Sequence, residues 1–152
     1  MPTTDGEKPN GQIVNSVFQV TADPPKIAIS LNKNNLTHSY VEKSKIFSIS
    51  VLDQETPMTF IGLFGFRCGR DVDKFEKTAH KMREKCPIVT DNTLAVMLCK
   101  VSASMDLGTH TLFIGEVIGS ELIKEGTPLT YDYYHKVKKG KTQKYATTYN
   151  EG

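Results

Sequence analysis

The sequence GTHTLFIGEV, which occupies Gly108–Val117, predicts a β-strand that is apolar on both faces. Side chains of a strand alternate between its faces, so Leu112 and Ile114 share one face while Phe113 lies on the other. A strand that is apolar on both sides is normally buried on both sides. His110 stands at the entrance of this strand, where the strand would fix the ring while its end stays accessible. Such a histidine is either a structural residue at a strand end or part of a reactive site, and the strand alone leaves both interpretations open.

Strand patterns dominate the rest of the chain, and helical patterns are few and short. The sequence predicts strands over Gly11–Ala22, Lys26–Asn32, Lys45–Leu52, Thr93–Ala103 and Leu107–Glu121, with an aromatic strand or loop over Thr130–Val137. It predicts helices over Leu36–Ser44, from Thr56-Pro57 through Phe64, and over the polar segment Lys74–Lys85. Many strands with few helices predict an all-β barrel that carries short peripheral helices.

Length and composition predict one globular domain. The chain has 152 residues with 38% hydrophobic and 24% charged residues, an ordinary globular balance. Residues 1–9 are polar and are expected to form a flexible lead-in, with the domain over residues 10–152. The net charge of +2 gives no indication of a nucleic-acid-binding surface. No signal segment or membrane-length apolar run occurs, so we expect a cytoplasmic protein.

The cysteines and histidines do not indicate a metal site. Cys68, Cys86 and Cys99 are widely spaced and form no C-x-x-C pair, so no zinc or rubredoxin-type iron site is expected from this chain. The four histidines are scattered along the sequence, and no Ser/His/Asp or Cys/His set of the kind used in nucleophilic catalysis can be recognised. Hydrolase chemistry therefore has no support in the sequence.

Two segments are candidates for anion binding. Ser30–His38 runs from a strand through a polar turn into a helix start, where free backbone amides and Lys33 would favour a phosphate. An ordinary capped turn is the alternative. The loop Phe64–Phe75 offers Arg70 and a second arginine for an anion, together with glycines and aromatic residues. A surface loop with local Arg–Asp pairing is the alternative there.

Three segments in chain order resemble the flavin reductase-like family of FMN-binding split-barrel proteins. They are Asn10–Pro25 (NGQIVNSVFQVTADPP), Ile29–His38 (ISLNKNNLTH) and Gly108–Val117, with Gly69-Arg70-Asp71 between the last two. The similarity covers roughly residues 10–149 and is nearest to the branch of flavoredoxins and the flavin domain of high-molecular-weight rubredoxins. It implies a six-stranded Greek-key split barrel that forms a homodimer, with flavin bound at or near the dimer interface.

The resemblance also implies which residues bind the cofactor. Residues near the flavin ring would be Gln12, Ile13, Asn15, Ser16 and Val17. Residues that hold the ribityl chain and phosphate would be Ser30, Leu31, Asn32, Lys33, Thr37 and His38, with Arg70 as a further phosphate partner. His110 would lie on the nicotinamide side. The implied cofactor is FMN rather than FAD, and NAD(P)H is the implied co-substrate.

Two departures from the family pattern bear on these expectations. Family members usually carry another strand before the Asn10-Gly11 pair, where only nine residues stand here, so we expect a barrel that lacks part of its N-terminal edge. A barrel that binds no flavin is one consequence of that gap. In addition, no cysteine pairs follow Tyr149, so a rubredoxin partner would be a separate protein.

The sequence thus predicts an FMN-dependent NAD(P)H oxidoreductase. A hydride would pass from the nicotinamide to flavin, and electrons would then pass to free flavin, a rubredoxin or a ferric complex. In this interpretation His110 positions the nicotinamide or stabilises reduced flavin. The alternative is an FMN-binding electron-transfer protein, similar to flavoredoxin, that has no nicotinamide site of its own.

Overall fold

The computed structural model describes residues 1–4 and 8–150, which form nine strands and three helices. The strands are β1 (Pro2–Thr4), β2 (Pro9–Gly11), β3 (Val17–Ala22), β4 (Pro25–Asn32), β5 (Ile46–Leu52), β6 (His80–Arg83), β7 (Cys86–Val89), β8 (Thr93–Asp106) and β9 (His110–Leu122). The helices are α1 (Leu36–Ser44), α2 (Met58–Phe66) and α3 (Tyr131–Lys136). The expected mostly β architecture with few helices is confirmed.

One antiparallel sheet organises the molecule. It contains five strands in the order β3-β4-β9-β8-β5, and two pairs, β1-β2 and β6-β7, accompany it. The described strands therefore divide into sheets of five, two and two strands, and the six-stranded Greek-key arrangement stays a prediction. The long strands β8 and β9 form the middle of the large sheet, while β3 and β5 are its two edges.

The inner face of the large sheet carries the main core. Phe113 on β9 is 1% exposed and pairs with Ile29 on β4, which is fully buried. Gly115 follows on the same face, where a Cβ atom would lie 2.6 Å from Cζ of Phe47 and 2.9 Å from Cβ of Cys99. Glycine at this position therefore makes room for the Phe47 ring on β5. The other face of β9 is less covered than the sequence predicts, because Leu112 and Ile114 in its first half are only half-buried.

Two of the predicted helices occur where the sequence places them. Helix α1 spans Leu36–Ser44 as expected and ends at Lys45, which adopts a left-handed backbone conformation with φ 58°. Helix α2 spans Met58–Phe66, and its N-cap is Pro57 rather than Thr56. It buries Ile61 and Phe64 against the body of the protein.

The predicted helix over Lys74–Lys85 is wrong. The end of this segment is strand β6, which pairs with the buried strand β7 in a hairpin. The two turn residues, Glu84 and Lys85, have φ values of 50° and 61°. A two-residue turn with two positive φ values normally uses Asn-Gly or Asp-Gly, so the Glu-Lys pair gave no turn signal.

The predicted strand or loop over Thr130–Val137 is also wrong, because this segment forms helix α3. Thr130 is its N-cap, and the Thr130 hydroxyl accepts a 3.1 Å hydrogen bond from the backbone amide of Tyr133. Asp132 lies in the first turn and forms an ion pair with Lys136 one turn later. These capping and charge features outweigh the strand preference of the three tyrosines.

The N-terminal part of the chain differs from its expected organisation in two ways. In place of a flexible lead-in over residues 1–9, β1 pairs with β2, and the side chain of Met1 is buried in the core; residues 5–7 lie outside the described residues. The predicted strand Gly11–Ala22 is divided into β2 and β3, because residues 12–16 form an irregular loop between them. This loop borders the cavity described below.

Across the described ranges, no helix is both long enough and apolar enough to span a membrane.

Candidate functional site

A cavity of about 440 Å³ is bordered by residues of both edge strands of the large sheet. Edge strand β3 contributes Val17, and edge strand β5 contributes residues 49–52. Helix α2 forms another wall with Phe60, Ile61 and Phe64. These walls are largely apolar, and the volume falls in the range that small-molecule and cofactor sites occupy, roughly 300–1,000 Å³.

The loop over residues 12–16 supplies polar groups to this cavity. Gln12, Ile13 and Asn15 from the loop line it, as does Ser30 from β4. The loop is fixed to helix α2, because the backbone amide of Ile13 donates to the carbonyl of Phe64 at 3.1 Å. The amide side chains of Gln12 and Asn15 therefore project from a loop whose backbone is fixed at Ile13.

Lys74 also connects the start of this loop to the end of helix α2. Its ammonium donates to the carbonyl oxygens of Gly11 at 2.8 Å and Phe64 at 3.4 Å. The side chain is 4% exposed. Burial lowers the pKa of Lys74 to about 8, while its Coulombic interaction with the Cys68 side chain acts in the opposite direction.

A segment after helix α3 closes the cavity from the other side. We call residues 141–148 the strap; Lys141, Thr142, Gln143, Tyr145, Ala146 and Thr147 from it line the cavity. Lys141 of the strap is the one charged side chain among the described residues that line the cavity. Hydroxyl groups of the strap bond to the loop on the opposite rim.

Asn32, Thr37 and His38 form a separate buried cluster, around helix α1 and the end of β4. The side-chain amide of Asn10 donates to the Thr37 hydroxyl at 2.9 Å. Nε2 of His38 lies 2.7 Å from the hydroxyl of Thr111, and burial lowers the pKa of His38. Because its ring also packs on Phe113 at 5.4 Å, His38 has partners within the fold.

His110 borders this cluster and differs from His38 in its hydrogen bonding. It is the register partner of Asn32 across β4 and β9. Its Nδ1 lies 2.8 Å from the hydroxyl of Thr109, while its buried Nε2 has no hydrogen-bond partner. A buried imidazole nitrogen without a partner is costly in a folded protein, so this atom marks a candidate ligand-binding position.

Lys33 and Arg70, the cationic residues of the predicted site, are exposed. The Lys33 ammonium pairs with Asp106 at 2.7 Å, and this hydrogen bond holds the pKa of the Asp106 carboxyl below its ordinary value. Arg70 lies in the loop after α2, where its guanidinium is 3.6 Å from Sγ of Cys68. Neither residue lines the cavity.

The structure thus divides the predicted site residues into groups. Lining the cavity are Gln12, Ile13, Asn15, Val17 and Ser30, with Ser16 hydrogen-bonded at its rim. Buried near α1 or at the end of β4 are Leu31, Asn32, Thr37 and His38, with half-buried His110 beside them. Lys33 and Arg70 stand apart on the surface.

Sequence reasoning missed two parts of the site. Lys74 was placed in a polar helix, and nothing in the sequence indicates that this particular lysine is buried. The strap was assigned no role, although its four hydroxyl residues between 142 and 148 were a visible signal. In the described ranges no three His, Cys, Asp or Glu side chains cluster in a way that would hold a metal ion.

Comparison with known proteins gives a consistent result. Residues 2–139 match the family model described as flavin reductase like domain. The chain is 49% identical over 142 residues to a protein named ferric-chelate reductase (NAD(P)H) from Archaeoglobus fulgidus, covering 93% of this chain and 84% of that protein. It is 46% identical over 148 residues to a high molecular weight rubredoxin from Moorella thermoacetica, covering 97% of this chain but 65% of that protein.

A solved structure with similar topology carries nucleotide fragments. The NADH:FAD oxidoreductase of Streptomyces globisporus C-1027, in complex with NAD and FAD fragments, superposes with a TM-score of 0.72 at 26% identity. The similarity covers 85% of this chain and 78% of that one.

Proposed function

Because this chain belongs to the flavin reductase-like family, we propose that it is an FMN-dependent NAD(P)H oxidoreductase that delivers electrons to an acceptor. The observation that carries this proposal is the cavity between the sheet edges, because it is lined by Gln12, Ile13, Asn15, Val17 and Ser30. The sequence resemblance assigns the same five residues to the flavin.

The cavity fits the chemistry of a flavin. Its apolar walls, including Phe60 and Phe64, suit a flat aromatic ring. The Gln12 amide and the Asn15 N–H that does not bond to Thr148 suit the polar edge of that ring. Its volume of about 440 Å³ suits a ligand of this size. In this proposal the ribityl phosphate extends from Ser30 towards Asn32 and Thr37, where helix α1 begins.

The bound flavin supplies the chemistry of hydride acceptance and onward electron transfer. The contribution of this chain is binding, orientation and exclusion of water. Gln12 binds the polar ring edge, together with the side-chain N–H of Asn15 that does not bond to Thr148. The Phe60 and Phe64 side of α2 excludes water, and Lys74 holds the loop that carries Gln12. His110 positions the nicotinamide, and its buried Nε2, which has no partner in the fold, is the atom offered to the ligand.

The role of His110 is tested by comparing His110→Ala with the matched control His80→Ala, an exposed histidine on β6. The first substitution is expected to lower NAD(P)H oxidation by about 10²-fold, the range for a group that positions a reactant, while FMN content stays close to that of the wild type. The control is expected to leave both quantities unchanged. Full FMN content and an unchanged oxidation rate in His110→Ala would refute the assignment.

We also propose the homodimer implied by the family resemblance, with the outer face of the large sheet as its interface. Phe18, Ala28 and Ile114 are register partners across β3, β4 and β9, so they share this face. Phe18 is 55% exposed. Met105 pairs with Leu112 one step further along the same face. Phe18 and Met105 are exposed on this face and Leu112 and Ile114 are half-buried, while Ala28 between them is fully buried. Exposed apolar side chains on one face favour an interface, so a second copy is the expected occupant.

The dimer is tested by sedimentation of Phe18→Asp, with Met82→Asp as control because Met82 is 54% exposed on a different sheet. Only the first substitution is expected to give a monomer. Ser30 lines the cavity and also pairs with Leu112 on the outer face, which supports a flavin at or near this interface. A dimer that survives Phe18→Asp unchanged would place the interface elsewhere.

The acceptor is proposed to be a ferric complex, a rubredoxin or free flavin. The names of the two relatives reported above support the first two, and the chain spans less than two thirds of the rubredoxin relative. The cytoplasmic location and the preference for FMN over FAD stay predictions.

One experiment separates the candidate functions. The absorption spectrum of the purified protein is recorded with added FMN, and then again after anaerobic mixing with NADH or NADPH. Rapid bleaching of the flavin absorption band at roughly 450 nm supports the oxidoreductase function. Bound FMN that neither nucleotide reduces favours an electron carrier without a nicotinamide site, and a protein that takes up no FMN refutes both functions.

A further inference from the structure

The strap forms a wall of the cavity but lies outside the part of the chain that the family model matches. That match ends at residue 139, and the strap begins at residue 141. Six of its eight residues line the cavity. Its position therefore needs an explanation that the family match does not supply.

Two threonines hold the strap against the loop on the opposite rim. The hydroxyl of Thr147 donates to Oδ1 of Asn15 at 3.0 Å and makes a short contact with the hydroxyl of Ser16. The side-chain amide of Asn15 donates to the hydroxyl of Thr148 at 2.9 Å. These contacts join residues more than 130 positions apart in the sequence.

A tyrosine of helix α3 connects the strap to the body of the protein. The hydroxyl of Tyr131 lies 2.6 Å from that of Thr142 and 3.1 Å from that of Thr148. The start of the strap is fixed as well, because the hydroxyl of Tyr134 donates to the carbonyl of Lys141 at 2.8 Å. The strap is therefore attached at both ends, while the cavity beneath it keeps its volume of about 440 Å³. It covers the cavity rather than filling it.

We propose that Thr147 and Thr148 are positioning residues that keep the flavin in the cavity by holding the strap to Asn15 and Ser16. This inference rests on the proposed function. It makes the flavin a resident cofactor of this chain rather than a substrate that leaves after each turnover. A flavin that leaves must break the contacts between strap and loop, so the rate of release depends on these hydroxyl groups.

The test measures how fast FMN leaves the protein. The protein with bound FMN is diluted about a hundredfold, and release is followed as recovery of flavin fluorescence. The variant Thr147→Val/Thr148→Val keeps the side-chain shape but removes both hydroxyls. Each net hydrogen bond corresponds to a factor of about five, so loss of the three contacts to Asn15 and Ser16 is expected to accelerate release about 100-fold.

Two further variants separate this role from a general loss of structure. Thr147→Ser/Thr148→Ser restores both hydroxyls and is expected to release FMN within about twofold of the wild-type rate. Thr127→Val makes the same chemical change at an exposed threonine that does not line the cavity, and it is expected to leave release unchanged. The single variant Thr148→Val is expected to give an intermediate rate.

Three results would overturn the proposal. A rate of FMN release from Thr147→Val/Thr148→Val within twofold of the wild-type rate would show that the threonines do not retain flavin. Slower release would show that the strap competes with the cofactor for Asn15 and Ser16. A serine variant that releases FMN as fast as the valine variant would trace the effect to packing rather than to the hydroxyls. Failure of the proposed function is distinguishable, because the wild type would then take up no FMN before dilution.

Discussion

Replacing Lys74 by methionine should remove a pH dependence of stability that this one side chain creates. The Lys74 ammonium is buried between the carbonyl oxygens of Gly11 and Phe64, and burial lowers its pKa from 10.5 to about 8. In the unfolded chain the same amine returns to its ordinary pKa. Methionine has a similar length and no titratable group, so it tests the charge with little change in volume.

The sign and size of the effect follow from the two pKa values. Between pH 8 and 10.5 the unfolded state binds more protons than the folded state, so Lys74 makes the protein more stable as the pH rises. The burial cost of the ammonium is fully present below the folded pKa and is gone above the unfolded pKa. Integrating this difference from pH 7 to pH 10 gives about 2.5 kcal/mol.

The assay is urea unfolding of the wild type and Lys74→Met at several pH values in this interval. The stability difference between the two proteins cancels the titration of groups that do not interact with Lys74. The buried Met1 ammonium does interact with it, but its folded-state pKa of about 5 lies below this pH interval. It is expected to shift in favour of the wild type by about 2.5 kcal/mol as the pH rises from 7 to 10. The exposed Lys77→Met serves as matched control and should show no such trend. A difference for Lys74→Met that stays constant with pH would refute a buried, titrating Lys74.

Three further substitutions test packing and capping, each by urea unfolding. Gly115→Ala should destabilise the protein by about 1–3 kcal/mol, because its Cβ would lie 2.6 Å from the Phe47 ring; a neutral result would mean that the core there is looser than described. Gly62→Ala in helix α2 is the counterpart, with nothing within 4 Å of the new Cβ, and should stabilise by about 0.5–1 kcal/mol. Thr130→Ala should lower the free energy of unfolding by about 1 kcal/mol, because the Tyr133 amide loses its cap; unchanged stability would show that this cap is dispensable.

The large sheet could be predicted from the sequence because its strands carry local signals. Lys26–Asn32 and Lys45–Leu52 have the apolar character that a half-buried or buried strand requires, and both occur within one residue of their predicted limits. Helix α1 was marked by the Asn34-Asn35 pair before it. In these segments local preference and tertiary packing favour the same structure.

The failures lie where tertiary contacts or unusual turn residues decide the structure. The β6–β7 hairpin turns at Glu84-Lys85, a pair with no turn preference, and β6 is exposed throughout, so it has no apolar periodicity. The cavity combines the loop over residues 12–16 with the strap, and no local pattern indicates that segments 130 residues apart form one rim. The residues on the loop and strands could be named from the sequence, whereas the closing wall could not.

The two histidines of the proposed site show what the structure adds to the sequence. His38 and His110 both lie in polar segments next to an element end, and the family resemblance, rather than any local pattern, assigns His38 to the phosphate and His110 to the nicotinamide side. In the structure, Nε2 of His38 bonds to Thr111, so its burial is explained by the fold. Nε2 of His110 is buried without a partner, and leaving it so costs about 1–3 kcal/mol that nothing in the described residues offsets.

A second buried atom without a partner provides the contrast. Oδ1 of Asn10 has no hydrogen bond, but it faces Gly69 so closely that even an added Cβ on that glycine would collide with it. We attribute its cost to the close packing against Gly69. For His110, the fold already uses Nδ1 towards Thr109 and leaves the buried Nε2 as the ring nitrogen without a partner. A ligand that bonds to Nε2 would recover the cost, which is why His110 rather than His38 is the residue to substitute first.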